Sequence, residues 1–269
     1  MAAGDPPVPD NPFIPSHTMT ANATLVLFGR PVEIAVTAPT EQVRISAFLP
    51  LIQQLAEVVV DVAVAECQAQ GVGITCKKGC GACCIQAVPL APAEARAIRD
   101  LIAELPEPRR TVVRERFAAS REKLAEAGVL DTFLDTSGLD DAQILELGRD
   151  YLKLQIPCPF LEDQACSIHP QRPIRCREYL VTSPAEFCAG PEAQQITRVR
   201  LPAEVFRSML AVGGESAARG KARWVPMTVA PEWADAHPDN SVPRPGTDLV
   251  RELFERLSGQ KLPCPDVPL

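Results

Sequence analysis

Apolar residues along this chain recur mostly at intervals of three and four, the spacing of one helix face. In residues 41–70 the positions Phe48, Leu51, Ile52, Leu55, Val59 and Val62 share such a face, with Pro50 expected to kink or restart the helix and Gly71 to end it. Pro92 opens a second segment, with Ile98, Leu101, Ile102 and Leu105 on one side. Val113, Phe117 and Leu124 mark a third. Ile144, Leu147, Tyr151 and Leu154 mark a fourth, and the stretch DTSGLDD between these two supplies breakers and a cap. Residues 205–212 and 249–257 also read as helices. Two runs of Leu, Val and Ile in residues 23–36 flank Phe28-Gly29-Arg30-Pro31 and predict a hairpin, and RWVPMTVAPEW reads as extended. No regular alternation of strand and helix appears, so the expected class is mainly α with a small N-terminal β-hairpin.

Composition changes this picture in one respect. At 269 residues the chain can bury a core without covalent staples, so its ten cysteines are not explained by stability alone. The first twenty residues hold five prolines, little periodicity, no Lys or Arg and no apolar run, which predicts a disordered lead-in and neither a secretory nor a transit signal. The expected location is therefore the cytoplasm. The richest apolar run, residues 58–65, is broken by Asp61, so no membrane span is expected. A net charge of -7 argues against nucleic acid as a partner, because phosphate binding needs a basic surface.

Eight cysteines fall into two groups: Cys76, Cys80, Cys83 and Cys84 in a glycine-containing loop, and Cys158, Cys166, Cys176 and Cys188 in a proline-rich one. In a reducing compartment such density reads as metal-binding or catalytic before it reads as disulfide. A three-residue gap followed by a two-residue gap lets one loop wrap three thiolates around one inorganic centre. Eight thiols suit two zinc ions, or one iron–sulfur cluster (4Fe-4S) with extra ligands. Adjacent Cys83 and Cys84 point different ways on an extended backbone and would serve different metals or cluster edges. A thiol redox pair there is disfavoured by the strain of a vicinal disulfide. Cys67 and Cys264 lie outside both groups and read as ordinary residues.

A four-thiolate centre is formally dianionic, and Arg172, Arg175 and Arg177 beside Cys166 and Cys176 would offset that charge and donate to sulfur. The alternative for Arg172 is a carboxylate partner such as Glu162 or Glu178. His169 reads as an imidazole beside the ligands more readily than as a ligand, since eight thiolates suffice. The prolines at 157, 159, 170 and 173 stiffen the loop.

The run CKKGCGACC followed by CPFL, CSIHPQRPIRCR and Cys188 resembles the YkgJ-type cysteine-cluster (CxxxCxxCC) family of zinc- or iron-chelating domains. That resemblance covers about Cys76 to Cys188 and implies eight characteristic cysteines, carried here by Cys76, Cys80, Cys83, Cys84, Cys158, Cys166, Cys176 and Cys188. Where many relatives have tyrosine, this chain has His169. Flagellin lysine methylases resemble the same family and are associated with an iron–sulfur cluster, which implies methyl transfer to a protein substrate.

The expected organisation is a lead-in over 1–20, hairpin and long helix over 21–72, a cysteine-cluster metal domain over 73–192, and a helical extension packed on it over 193–269. Two functions stay open. One is an iron–sulfur or zinc protein that modifies another protein; the other is a structural-zinc interaction module without catalysis. The CxxxCxxC spacing and the arginines favour the cluster over zinc. A radical S-adenosylmethionine barrel is disfavoured because a long helix precedes the cysteine loop, and Gly213-Gly214-Glu215 reads as a helix stop.

Overall fold

The computed structural model describes residues 18–190, 193, 195–212 and 224–259. The fold is mainly α with an N-terminal β-hairpin. Strands β1 (Thr18–Leu27) and β2 (Arg30–Pro39) pair antiparallel from Thr18↔Pro39 to Leu27↔Arg30, a longer ladder than the apolar runs predict. Phe28 and Gly29 both take positive φ, as a two-residue turn of the I′ type requires. Leu25, Leu27, Val36 and Ala38 alternate inward and are buried. The strand begins at Thr18, so the last three residues of the expected lead-in are ordered; the rest of it lies outside the described residues.

The long helix α1 is Leu49–Ala69, not residues 41–70. Proline has no N–H to give to an inner turn, so Pro50 starts the helix instead of kinking it. Upstream, β3 (Gln42–Val43) pairs with β8 (Arg244–Pro245). Gly71, at φ +71°, ends α1 in a Schellman motif: Val72 N–H reaches the Cys67 carbonyl at 2.9 Å and Gly71 N–H reaches that of Gln68 at 3.0 Å. The run Ile45–Ala69, with mean hydropathy 1.6, is long and apolar enough by composition to cross a membrane, which the sequence reading did not anticipate. Its Ile52, Leu55, Ala56, Val59 and Ala63 are buried against the rest of the protein.

Helices α2 (Pro92–Glu104), α3 (Arg109–Glu126) and α5 (Asp141–Leu154) follow the expected periodicities, with a short α4 (Leu130–Leu134) that the sequence did not signal. Asp140 caps α5 by accepting the Gln143 N–H at 2.9 Å. Between α1 and α2 lies the first cysteine loop, and β4 (Pro89–Leu90) pairs with β7 (Val225–Pro226). The second cysteine segment forms a small hairpin of β5 (Leu161–Glu162) and β6 (Ala165–Cys166), then α6 (Ile174–Glu178). Helices α7 (Val205–Val212), α8 (Ala230–Ala236) and α9 (Gly246–Gly259) complete the described chain. The stretch expected to be extended is so only at β7. Pro231 then opens α8, and Trp233 is buried with the Arg96 guanidinium 5.5 Å from its ring centre.

Two apolar clusters result. One gathers β1, β2, α1, α7 and α9; the other gathers α3, α5 and α8 around Phe117, Phe133, Tyr151 and Phe160. Helix α2 contributes to both, with Ala91 and Ala93 in the first and Ala95, Ile98 and Ile102 in the second. The cysteine segments lie along this seam: Ile174 of α6 belongs to the first cluster, while Cys158 and Cys166 pack against the second. Gly213-Gly214-Glu215 and Cys264 lie outside the described residues.

Candidate metal centre

Hydrogen bonds between loops build the site. The Thr75 hydroxyl donates to the carbonyl of Ser183 at 2.6 Å, its N–H to that of Val181 at 3.1 Å, and the Val181 N–H returns to the Cys76 sulfur at 3.3 Å. Cys80 N–H closes a turn on the Lys77 carbonyl at 3.0 Å, with Gly79 at φ +84°, where a side chain would be strained. Gly81 follows. A methyl group there would sit 2.7 Å from Leu161 Cδ1 and 3.2 Å from the Gln164 carbonyl, so glycine lets the first loop lie close against the β5–β6 hairpin. Cys158 N–H donates to the Cys84 carbonyl at 2.6 Å, a direct bond between the two cysteine groups. The Gln86 amide donates to the Cys188 carbonyl at 2.8 Å and to Tyr179 Oη at 3.3 Å.

The second segment is anchored from below. Phe160 is fully buried, its ring edge-on to Phe117 at 5.6 Å between centroids, and Ile156 and Ile168 are buried beside it. From α3, Arg116 donates to the Pro159 carbonyl at 3.1 Å and Arg109 to that of Ser167 at 3.3 Å; both also meet Glu162, at 3.1 and 3.6 Å. Glu94, buried in α2, accepts the Ala91 N–H at 2.9 Å and the Ile174 N–H at 2.8 Å, so it caps its own helix and fixes the start of α6, which carries Cys176. Burial pushes its carboxyl up to about 7.

The eight thiols converge. The Cys83 sulfur is an electrostatic neighbour of Cys76, Cys158, Cys166, Cys176 and Cys188, and raises each of their thiol pKa values. Cys80 acts in the same way on Cys76 and Cys188. Cys83 and Cys84 sit in the 3-10 turn Ala82–Ile85, where the two thiols share a hydrogen bond. This corrects the expectation of side chains diverging from an extended backbone. That hydrogen bond, and then burial, lift the Cys83 thiol far above its ordinary value. Burial raises Cys158 to about 12 and Cys188 to about 11, and pushes Cys76, Cys166 and Cys176 up as well. Opposing this, the backbone of Phe160 lowers the Cys158 thiol pKa and that of Ile168 lowers the Cys166 thiol pKa, in each case from two positions on. Such backbone groups stabilise thiolate over thiol.

All nine described cysteines are free thiols. Among the described residues, no three His, Cys, Asp or Glu side chains already stand in the arrangement that one ion requires. The cluster is a neighbourhood of thiols whose side chains must turn inward to make a ligand sphere.

The three arginines divide. Arg172 lowers the thiol pKa values of Cys76, Cys83 and Cys166, and its Nε is buried with no hydrogen-bond partner. Neither Glu162, occupied by Arg109 and Arg116, nor Glu178 serves as its carboxylate partner. Arg175 lies over the Phe206 ring at 5.7 Å and 3.7 Å from Glu178. Arg177 is buried between Glu57, the Pro170 carbonyl at 2.5 Å and the Arg172 carbonyl at 2.9 Å, and its charge still reaches Cys166. His169 is exposed, its pKa lowered chiefly by Arg172. Cys67 sits at the end of α1, outside the cluster. Sequence reasoning did not find Glu94, Gln86, Tyr179 or Gly81. Only the glycine within the cysteine run was a signal that could have pointed to a close approach.

The donor set fits a thiophilic metal: clustered sulfurs, backbone groups that favour thiolate, and a buried guanidinium nitrogen lacking an acceptor that a thiolate would supply. Residues 75–195 match the family model described as "CxxCxxCC: Putative zinc- or iron-chelating domain". No curated protein and no solved structure matches the chain.

Proposed function

We propose that this chain, whose residues 75–195 match the CxxCxxCC model of zinc- or iron-chelating domains, holds a metal in the thiol neighbourhood between the two apolar clusters. The observation that carries the reading is the convergence of the cysteines on Cys83, beside the unpartnered Nε of Arg172. A guanidinium nitrogen that is buried without an acceptor is costly. Ionised sulfur removes that cost, and metal binding is what ionises thiols whose pKa values burial has raised.

An iron–sulfur cluster is the form of metal we favour, because Arg172, Arg177 and the backbone groups beside the sulfurs compensate the negative charge that a cluster with four thiolates brings. Bound there, a cluster would supply one-electron chemistry. The chain's own residues would hold it, shield it behind Phe160 and Ile168, and set its charge. The second reading is a structural zinc module, favoured by the matching backbone groups of Phe160 and Ile168, which lower the thiol pKa values of Cys158 and Cys166 alike. Methyl transfer to a partner protein, implied by the resemblance to flagellin lysine methylases, has no support in these residues beyond that resemblance. Either metal needs reduced thiols, which suits the cytoplasm.

Metal analysis and absorbance spectra of anaerobically purified protein test the reading. Brown protein absorbing near 400 nm with iron and labile sulfide is expected. Colourless protein with zinc replaces the cluster by the module, and protein free of both metals under reducing conditions overturns the proposal.

A further inference from the structure

In the sequence the eight cysteines divide four and four, but the fold divides them differently. The turn closed by Cys80 N–H on the Lys77 carbonyl keeps Cys76 and Cys80 on one small loop. Thr75 and the Cys76 sulfur fasten that loop to Val181 and Ser183, on the segment that leads to Cys188. Cys188 lies in the 3-10 turn Ala185–Ala189, which packs on the 3-10 turn of Cys83 and Cys84, and the Gln86 amide holds its carbonyl. Cys158 and Cys166 lie at the β5–β6 hairpin, Cys158 just before it and Cys166 at its end. There the Leu161 N–H bonds the Cys158 carbonyl at 2.9 Å and Leu161 pairs with Cys166. Cys176 is on α6, which Glu94 fixes from α2, and Cys158 and Cys166 are both among the neighbours that raise its thiol pKa. Cys188 instead feels Cys76 and Cys80 after Cys83. Cys83 and Cys84 stand at the junction: the Cys84 carbonyl is bonded to the Cys158 N–H on one side, and their turn abuts that of Cys188 on the other.

We propose that the ligands are drawn across the two sequence groups: Cys76, Cys80 and Cys188 hold one centre, Cys158, Cys166 and Cys176 hold a second, and Cys83 and Cys84 supply the fourth thiolate of each. The assignment rests on the metal-binding reading above and adds to it the number of centres and their ligand sets. Two adjacent residues can serve two centres because neighbouring four-thiolate sites each need only one more sulfur from the shared turn. The decisive residue is Cys188, which leaves its sequence neighbours and joins the first loop.

Stepwise zinc loading of the reduced full-length chain tests this, with alkylation and mass-spectrometric mapping of the thiols at each step. Saturation at two equivalents is expected, with Cys188 gaining protection in step with Cys76 and Cys80. Protection of Cys188 in step with Cys158, Cys166 and Cys176 overturns the assignment, as does saturation at one equivalent. A chain that protects no thiol at any zinc level sinks the metal reading itself. If both sites fill together, variants decide. Cys80→Ser, Cys188→Ser and their double variant should each lose one equivalent, and Cys166→Ser/Cys188→Ser should lose two. Loss of only one equivalent by that last pair contradicts the assignment.

Discussion

The hairpin-and-α1 region and the cysteine region are held together by different physics. Around α1, buried Leu25, Leu27, Ile52, Leu55 and Val59 meet side chains of α7 and α9, and burial of apolar surface does most of the stabilising. The first cysteine loop buries no large apolar side chain, while the second segment buries Ile156, Phe160, Ile168, Ile174 and Val181. Both are positioned by bonds that cross between segments, such as Cys158 N–H to Cys84 and Val181 N–H to Cys76, and by two anchors, Phe160 below and Glu94 beside α6. A region built in this way stays soft until something ties its sulfurs together. The first region should therefore be indifferent to metal and the second dependent on it.

The largest effect that separates them comes from their anchors. Phe160→Ala should cost about 3–5 kcal/mol and Ile52→Ala about 2–5 kcal/mol. In denaturant titrations read with and without a chelator, only the Phe160 variant should also lose metal. If Ile52→Ala strips metal as readily, the two regions are not energetically distinct. Next in size, Gly81→Ala should cost about 1–3 kcal/mol, because its methyl group meets Leu161 Cδ1 at 2.7 Å and the Gln164 carbonyl at 3.2 Å, so the hairpin side must give way. Its metal content should fall with its stability. Gly138→Ala, whose methyl group meets nothing within 4 Å, is the control. Arg172→Gln should leave the fold intact and weaken metal retention by about 10–100-fold, read by competition with a chelator. Arg175→Gln, facing Phe206 and Glu178, should weaken it far less.

The smallest expected effect is a pH slope. The buried Glu94 carboxyl has a folded pKa of about 7 against 4.5 for the free side chain, so between those values the folded chain binds the extra proton. Its contribution is fully present below pH 4.5 and is lost as pH rises to 7. Glu178, also raised to about 7 by burial, acts in the same sense. In urea titrations of the chelator-treated chain, Glu94→Gln should flatten this slope, while losing one of the two N–H partners of the carboxylate. An unchanged slope would place the proton elsewhere.

How much of this could be read in the sequence follows from the same contrast. The helical faces of α1, α2, α3 and α5 were legible because periodic burial writes itself into the order of residues, and Pro92, Gly71 and Asp140 marked their ends. Residues 41–44 were misread because the helical spacing can be extended into them, while Ile45–Phe48 form a 3-10 turn that leads into α1 and Pro50 limits where the α-helix can begin. RWVPMTVAPEW was misread because the packing of Trp233 against α2 outweighs its β-branched composition. In the site, residue type named the cysteines, but their grouping depends on the fold. Nothing near Glu94 says that it will cap a helix eighty residues away, and three arginines in one short stretch face three different surroundings.

A thiol count tests the central claim most directly. The reduced chain, with its ten cysteines, is titrated with a thiol reagent before and after metal loading. The expected result is that eight thiols become unreactive on loading, while Cys67 and Cys264 react throughout. Protection of only four, all from Cys76 to Cys84 or all from Cys158 to Cys188, would contradict a shared metal neighbourhood and leave the two cysteine groups as separate features of the chain.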